Sequence, residues 1–241
     1  MDSLKGILFI DIETVPVLPH YEQLSPELQK EWIRKSKFLK GPADPNAEPA
    51  TLFSERAGVF SEFAKVVCIG IGSLYKQGDT WKMRLKALTN DNEKLLLTDF
   101  CQILEKMGQQ HKELRFCGHN IKEFDVPFLC RRMIINEMAI PSCMQFQGKK
   151  PWEINHLDTM ELWRFGDFKN FTSLSLLAAV LGIPSPKSDL DGSMVASVYY
   201  QDGDLHRIGS YCLQDVYTSA KVYLKLVGIR DIDPEPVYAD V

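Results

Sequence analysis

Residues 6 to 12, GILFIDI, constrain the fold more than any other stretch of the chain. A continuous, Ile-rich apolar run of this length reads as a strand buried on both faces at the centre of an α/β sheet. Yet Asp11 falls inside the run and Glu13 stands directly after it. An ionised carboxylate in apolar surroundings is costly unless something cationic compensates it. Two further carboxylates occupy the same kind of setting far along the chain, Asp125 in CGHNIKEFDVPFL and Asp215 in YCLQDV. Four such groups from three separated segments point to one metal site.

At 241 residues, 45% hydrophobic and 25% charged, the chain has enough apolar material for a substantial core, read here as one domain over residues 1–241. The net charge of -4 argues against a protein that coats nucleic acid without regard to sequence, which needs a broad basic surface. An enzyme touching a few phosphates through metal ions needs none. Six scattered cysteines form no CxxC pair and read as buried thiols in a reducing compartment. The five histidines show no zinc spacing. The N-terminal apolar run, cut off by Asp11, is too short for a signal or membrane-spanning segment, so a cytoplasmic location is expected.

After the first strand, Val66 to Tyr75 and Thr80 to Leu88 read as strands joined by a hairpin turn at Lys76 to Asp79, with Trp81, Met83 and Leu85 on one buried face. Asn90 or Asp91 is the expected cap of a helix to about Met107, with Leu95, Leu96, Phe100, Ile103 and Leu104 on its apolar side. A short strand is expected at Arg115 to Gly118, a helix at Val126 to Asn136 and another short strand at Asn155 to Asp158. Thr172 or Ser173 caps a helix from Leu174 to Leu181, and a final helix spans Leu205 to Leu226 with Ile208, Cys212, Val216, Ala220 and Tyr223 on one stripe. The layout predicts an α/β fold with a mixed central sheet flanked by helices.

Residues 16 to 64 form a long insertion between the first two strands. Ser25-Pro26 starts a helix reaching Lys37 or Lys40, and Gly41 to Pro49 reads as an exposed loop. Its length predicts a lid or a substrate-contacting arm. Lys30, Arg34, Lys35, Lys37 and Lys40 are the densest basic stretch of the chain.

Asp11 and Glu13, two apart on a strand, leave the same face while Ile10 and Ile12 enter the other, so both can grip one cation. Taken alone, Asp125 also fits a helix N-cap before Pro127, and Asn120 fits a turn residue. Tyr211 and Asp215, four apart on the last helix, project from the same side, and the carboxylate needs a partner there.

Together, ILFIDIETVP, GHNIKEFDVPFLCRR and YCLQDV resemble, in order and span, the three motifs of the DEDD superfamily of 3'-5' exonucleases. The nearest resemblance is to stand-alone members related to the proofreading domain of family-B DNA polymerases, and it runs from Ile7 to Leu226. The superfamily divides by its third motif into tyrosine and histidine types. Here Tyr211 stands four residues before Asp215 and Ser210 occupies the histidine position, so the chain resembles the tyrosine (DEDDy) type. The resemblance implies a ribonuclease H-like fold and two Mg2+ or Mn2+ ions held by Asp11, Glu13, Asp125 and Asp215. It implies that Tyr211 orients the attacking water, and that nucleoside 5'-monophosphates leave from the 3' end. Hard oxygen ligands favour those ions over zinc. Ile12, Thr14, Asn120 and Phe124 are the expected contacts to the terminal nucleotide.

The expected partner is single-stranded nucleic acid, DNA ahead of RNA. A 3'-5' exoribonuclease fits the same motifs, because that choice depends on the 2'-OH. A non-catalytic binding module on the same scaffold fits less well, since a pure binder has no need to concentrate negative charge beside phosphates.

Overall fold

The computed structural model describes residues 4–39, 46–111, 113–184 and 189–239. In chain order the elements are β1 (Ile7–Pro16), α1 (Pro26–Ser36), α2 (Pro49–Arg56), β2 (Ala64–Gln77), β3 (Thr80–Thr89), α3 (Glu93–Gln110), β4 (Arg115–Gly118), α4 (Asp125–Ile135), β5 (Leu157–Asp158), α5 (Thr159–Arg164), α6 (Leu174–Val180), α7 (Val195–Ser197), α8 (Leu205–Leu226) and β6 (Glu235–Tyr238). The strands form one six-stranded sheet in the order β5-β4-β1-β2-β3-β6. β2 is antiparallel to β1 and β3, while β4 is parallel to β1 and β5, and β6 is parallel to β3. The sheet is therefore mixed, as expected.

Alternation along β1 divides the core. Leu8, Ile10 and Ile12 pack with Leu96, Phe100 and Leu129 of α3 and α4, whereas Phe9 and Val15 pack on the other face with Ile208, Cys212 and Val216 of α8. Period-two geometry thereby sends Asp11 and Glu13 toward α8. The contact between α8 and the sheet depends on Gly70 of β2. A Cβ there would lie 2.7 Å from Cys212 Sγ and 2.9 Å from Val216 Cγ2. At the end of β4, a Cβ on Gly118 would lie 2.5 Å from the carbonyl oxygen of Ile10, so glycine permits this close passage beside β1.

Several local expectations are corrected. The α3 cap is Asn92, whose side chain accepts the Leu95 N–H at 3.2 Å; Asn90 instead holds the Asn92 N–H at 2.9 Å. Leu95 is exposed and Leu97 takes the inward position. The strand expected from Asn155 shrinks to Leu157–Asp158. In 41–49, Ala47 is buried and Pro49 opens α2 instead of ending a loop; residues 41–45 and Lys40 lie outside the described residues. β6 goes unpredicted because its residues are largely exposed and carry little pattern.

The 16–64 insertion has its own core of Leu24, Trp32, Leu52, Phe53, Ala57 and Phe63. The Trp32 ring meets Phe53 and Phe63 edge-on at 5.3 and 5.0 Å, and its indole N–H donates to the Pro49 carbonyl at 2.7 Å. A buried ion pair ties the end of the insertion to the main body. Arg132 of α4 meets Glu93 of α3 at 2.6 and 2.9 Å and donates to the Ser61 carbonyl at 2.8 Å, while Glu93 also accepts the Val66 N–H at 2.8 Å.

Candidate active site

The four sequence-predicted carboxylates converge around β1, Asp11 and Glu13 on its α8 face, Asp215 on α8 itself, and Asp125 from α4 against the Ile12 main chain. Asp11 and Glu13 come from β1, with Asp11 opposite Gly70 and Glu13 opposite Cys68 of β2, just before a register shift between Glu13 and Thr14. Asp125 opens α4 and Asp215 lies midway along α8. Asp125 is only 3% exposed, and it is not an N-cap: the Phe124 position caps α4 without a side-chain bond, and the Asp125 carboxylate accepts the Ile12 N–H at 3.1 Å. Asp215 accepts from the Tyr211 hydroxyl one turn before it.

Burial and mutual repulsion push these acids upward. Asp11 lies well above its ordinary range through burial and then the charges of Asp125 and Asp215. Glu13 is raised in the same way by burial and then Asp11. Burial lifts Asp125 to about 7, against the bonds it accepts from its own N–H and that of Ile12. Asp215 is raised to about 6 by burial, partly offset by Tyr211. The Tyr211 hydroxyl is held above its ordinary value by burial and then Asp215. Four carboxyls stacked in this manner gain from any divalent cation, since it relieves both desolvation and repulsion. Their oxygen donors suit a hard ion.

Sequence reasoning missed two neighbours. Cys212, counted only as core, directs its thiol at both the carbonyl and the Oδ2 of Asp11, each at 3.4 Å. Ligand atoms of Asp11, Glu13 and Cys212 all lie within 4.8 Å of one another, a group that Asp125 and Asp215 do not join among the described residues. The second is Asp158, whose carboxylate accepts the N–H groups of Asn120, Lys122, Met160 and Glu161 at 3.0 to 3.3 Å. The D-x-x-E spacing of Asp158 and Glu161 is a legible capping signal.

The expected nucleotide contacts lie around this cluster. The Ile12 side chain is core, so only its backbone faces Asp125. The Thr14 hydroxyl donates to the Gly58 carbonyl at 2.7 Å, joining β1 to the insertion. Asn120 adopts φ 63°, and its buried Oδ1 has no partner among the described residues. Phe124 is partly buried, with its ring 5.4 Å from Phe128. On α1, Arg34 pairs with Glu31 at 2.7 Å and Lys35 lies over Phe60 at 4.1 Å.

A six-stranded mixed sheet flanked by helices on both faces, with carboxylates gathered beside its central strand, makes this a ribonuclease H-like α/β protein. Residues 59–237 match the family described as a predicted 3'-5' exonuclease related to the exonuclease domain of PolB, and the chain belongs to that family. The match includes Asp125, Tyr211 and Asp215; Asp11, Glu13 and most of the insertion precede it. The fold is similar to that of the family B DNA polymerase from the hyperthermophilic archaeon Pyrobaculum calidifontis, with a TM-score of 0.56 at 14% identity. That similarity covers 92% of this chain and 24% of the polymerase, so the chain spans about a quarter of the polymerase's length. No curated protein matches the sequence.

Proposed function

We propose that the protein is a metal-dependent 3'-5' exonuclease that hydrolyses phosphodiester bonds from the 3' end of single-stranded DNA and releases nucleoside 5'-monophosphates. The observation that carries this reading is the convergence of Asp11, Glu13, Asp125 and Asp215, from β1, α4 and α8, into one electrostatically strained cluster. In this reading the four carboxylates hold two Mg2+ or Mn2+ ions. Such ions, when bound, supply positive charge to the attacking and leaving oxygens of an in-line displacement.

The residues of the chain do the positioning. The Ile12 N–H fixes Asp125, and the Cys212 thiol fixes Asp11. Tyr211 stays protonated at neutral pH, because burial and Asp215 raise its pKa, so it serves as a hydrogen-bonding group and not as a base. Donating to Asp215 leaves its oxygen lone pairs free to orient the attacking water. Ile12, Thr14, Asn120 and Phe124 surround the terminal nucleotide. Residues 1–241 act as a single domain with the 16–64 insertion packed on it. Among the described residues no helix is long and apolar enough to cross a membrane. The six cysteines are free thiols, as a reducing, cytoplasmic compartment would keep them.

The test is incubation of purified protein with end-labelled single-stranded DNA and RNA in Mg2+, Mn2+ or EDTA. Stepwise shortening of DNA from the 3' end, abolished by EDTA, is the expected result. Preference for RNA would reassign the substrate, and binding without shortening in either metal would leave a non-catalytic module.

A further inference from the structure

β1 and β2 pair only from Phe9 and Gly72 onward. Before that point, among the described residues, Ile7 and Leu8 pair with β4 alone and Ser73 to Gln77 pair with β3 alone. The two strands part, and the wedge between them opens a cavity of about 790 Å3. Its walls draw on both core layers. Leu8, Ile103 and Met107 belong to the α3 side, and Ile7, Leu74 and Trp81 to the α8 side. The cavity is separate from the carboxylate cluster, because Ile7 lies four residues before Asp11, about 13 Å along a strand.

The charge around the cavity is of one sign. Lys76, Arg84 and Lys86 border it with Lys5 and His111, and among the described residues no Asp or Glu does. Arg84 and Lys86 stand opposite Ser73 and Ile71 in the β2–β3 ladder, so they share the sheet face that carries Ile71 into the α3-side core. Neither has a carboxylate partner among the described residues. Arg84 instead lies over the Tyr75 ring at 5.3 Å. Lys76 meets Asp79 at 3.9 Å in the exposed turn, a pairing of little worth.

Lysines on a bare strand edge also guard against edge-to-edge pairing. That role calls for no apolar cavity beneath them. A volume within the range of about 300–1,000 Å3 usual for small-molecule sites, apolar walls and a cationic rim together select an anion with an apolar body. Aliphatic walls suit an alkyl body better than a nucleobase, whose polar ring edges are costly to bury without hydrogen-bonding partners.

We propose that this wedge binds an anionic amphiphile, with its alkyl body between β1 and β2 and its anionic head at Arg84 and Lys86. The site does not involve the metal-binding carboxylates, so its occupancy is independent of nuclease activity.

The test is displacement of fluorescent anilinonaphthalene sulfonate from the full chain in EDTA by octanoate, decanoate and dodecanoate, each below its micelle concentration. Each added methylene should tighten binding about fourfold. Decanol and decyltrimethylammonium, with a similar body and no negative charge, should displace the probe at least about tenfold less well than decanoate. The anion dTMP, which has no alkyl body, should not displace it. R84Q/K86Q should weaken decanoate binding about tenfold or more while melting like wild type. R84K/K86R, which keeps both charges, should bind decanoate as wild type does. Arg84 is exposed, so R84Q alone gives the same reading should the double variant melt early. Decanoate bound no better than decanol, dTMP displacing the probe as well as decanoate, or unchanged decanoate affinity in the glutamine variants overturns the site. So does an R84K/K86R variant that melts like wild type yet binds as poorly as R84Q/K86Q.

Discussion

The carboxylate of Asp125 accepts the main-chain N–H of Ile12, the residue between Asp11 and Glu13, at 3.1 Å across 113 positions of sequence. β4 pairs with β1 only as far as Phe9, then turns away after Gly118. Beyond that point the first turn of α4 takes over, and Asp125 supplies the acceptor. One hydrogen bond thus sets the spacing between two of the segments that build the site.

Asp11→Ala or Asp215→Ala should abolish nuclease activity while leaving the metal-free protein as stable as wild type or more so. Removing one carboxylate relieves the repulsion that raises the others. Turnover with Mn2+ and melting temperature in EDTA check both halves, and full activity in Asp11→Ala would sink the site assignment.

Tyr211→Phe should lower kcat by about 10- to 1000-fold with little change in DNA affinity, as when a positioned water loses its partner. The ring remains, so packing against the α8-side core should persist. Equal rates for Phe and Tyr at saturating DNA would reduce Tyr211 to a packing residue.

Arg132→Met should destabilise the protein by about 3–5 kcal/mol, because it strands the buried Glu93 carboxylate. Both side chains are 7% exposed. Urea unfolding at pH 7 reads the loss. Glu93→Gln combined with Arg132→Met should cost less than Arg132→Met alone; a larger cost would contradict this account.

Metal-free protein should lose stability as pH rises from about 4 to about 7, where Asp125 and Asp215 titrate. Both folded-state pKa values lie above their ordinary value of 3.8, so the folded form holds protons that the unfolded chain releases. The contribution is complete below the unfolded pKa and disappears as pH passes the folded one. His156, lowered to about 4 by burial, acts in the opposite direction over part of this window, so the comparison must be between variants. Asp125→Asn mimics the neutral acid and should be less pH-sensitive than wild type in EDTA. Parallel stability curves for the two proteins would refute the contribution of Asp125.

Much of the fold was legible in local pattern. α8 runs from Leu205 to Leu226 as its apolar stripe predicts, and the β2–β3 hairpin turns through Gly78 at φ 61°. The error at the α3 cap arose because Asn90, Asp91 and Asn92 offer the same capping chemistry, and only the backbone path selects Asn92. α2 was hidden because prolines mark both loops and helix starts. The exposure of Phe165, Phe168 and Phe171 escaped notice because an isolated phenylalanine reads as core until its surroundings are known.

The sequence by itself determined which segments become strand and helix, which carboxylates sit in apolar settings, and that Tyr211 and Asp215 share one side of a helix. These follow from periods of two and 3.6 residues, which need no knowledge of distant chain. The tertiary structure alone decided that Asp125 bonds to Ile12 and not to its own helix end, and that the Cys212 thiol reaches Asp11. It also decided that the buried Asn120 Oδ1 has no partner among the described residues. The two bonds join residues 113 and 201 positions apart, and they depend on the β1–β2 register and on the space left by Gly70 and Gly118. Such packing is a property of the assembled core, where a shift of one residue in register would turn every side chain of a strand to the other face.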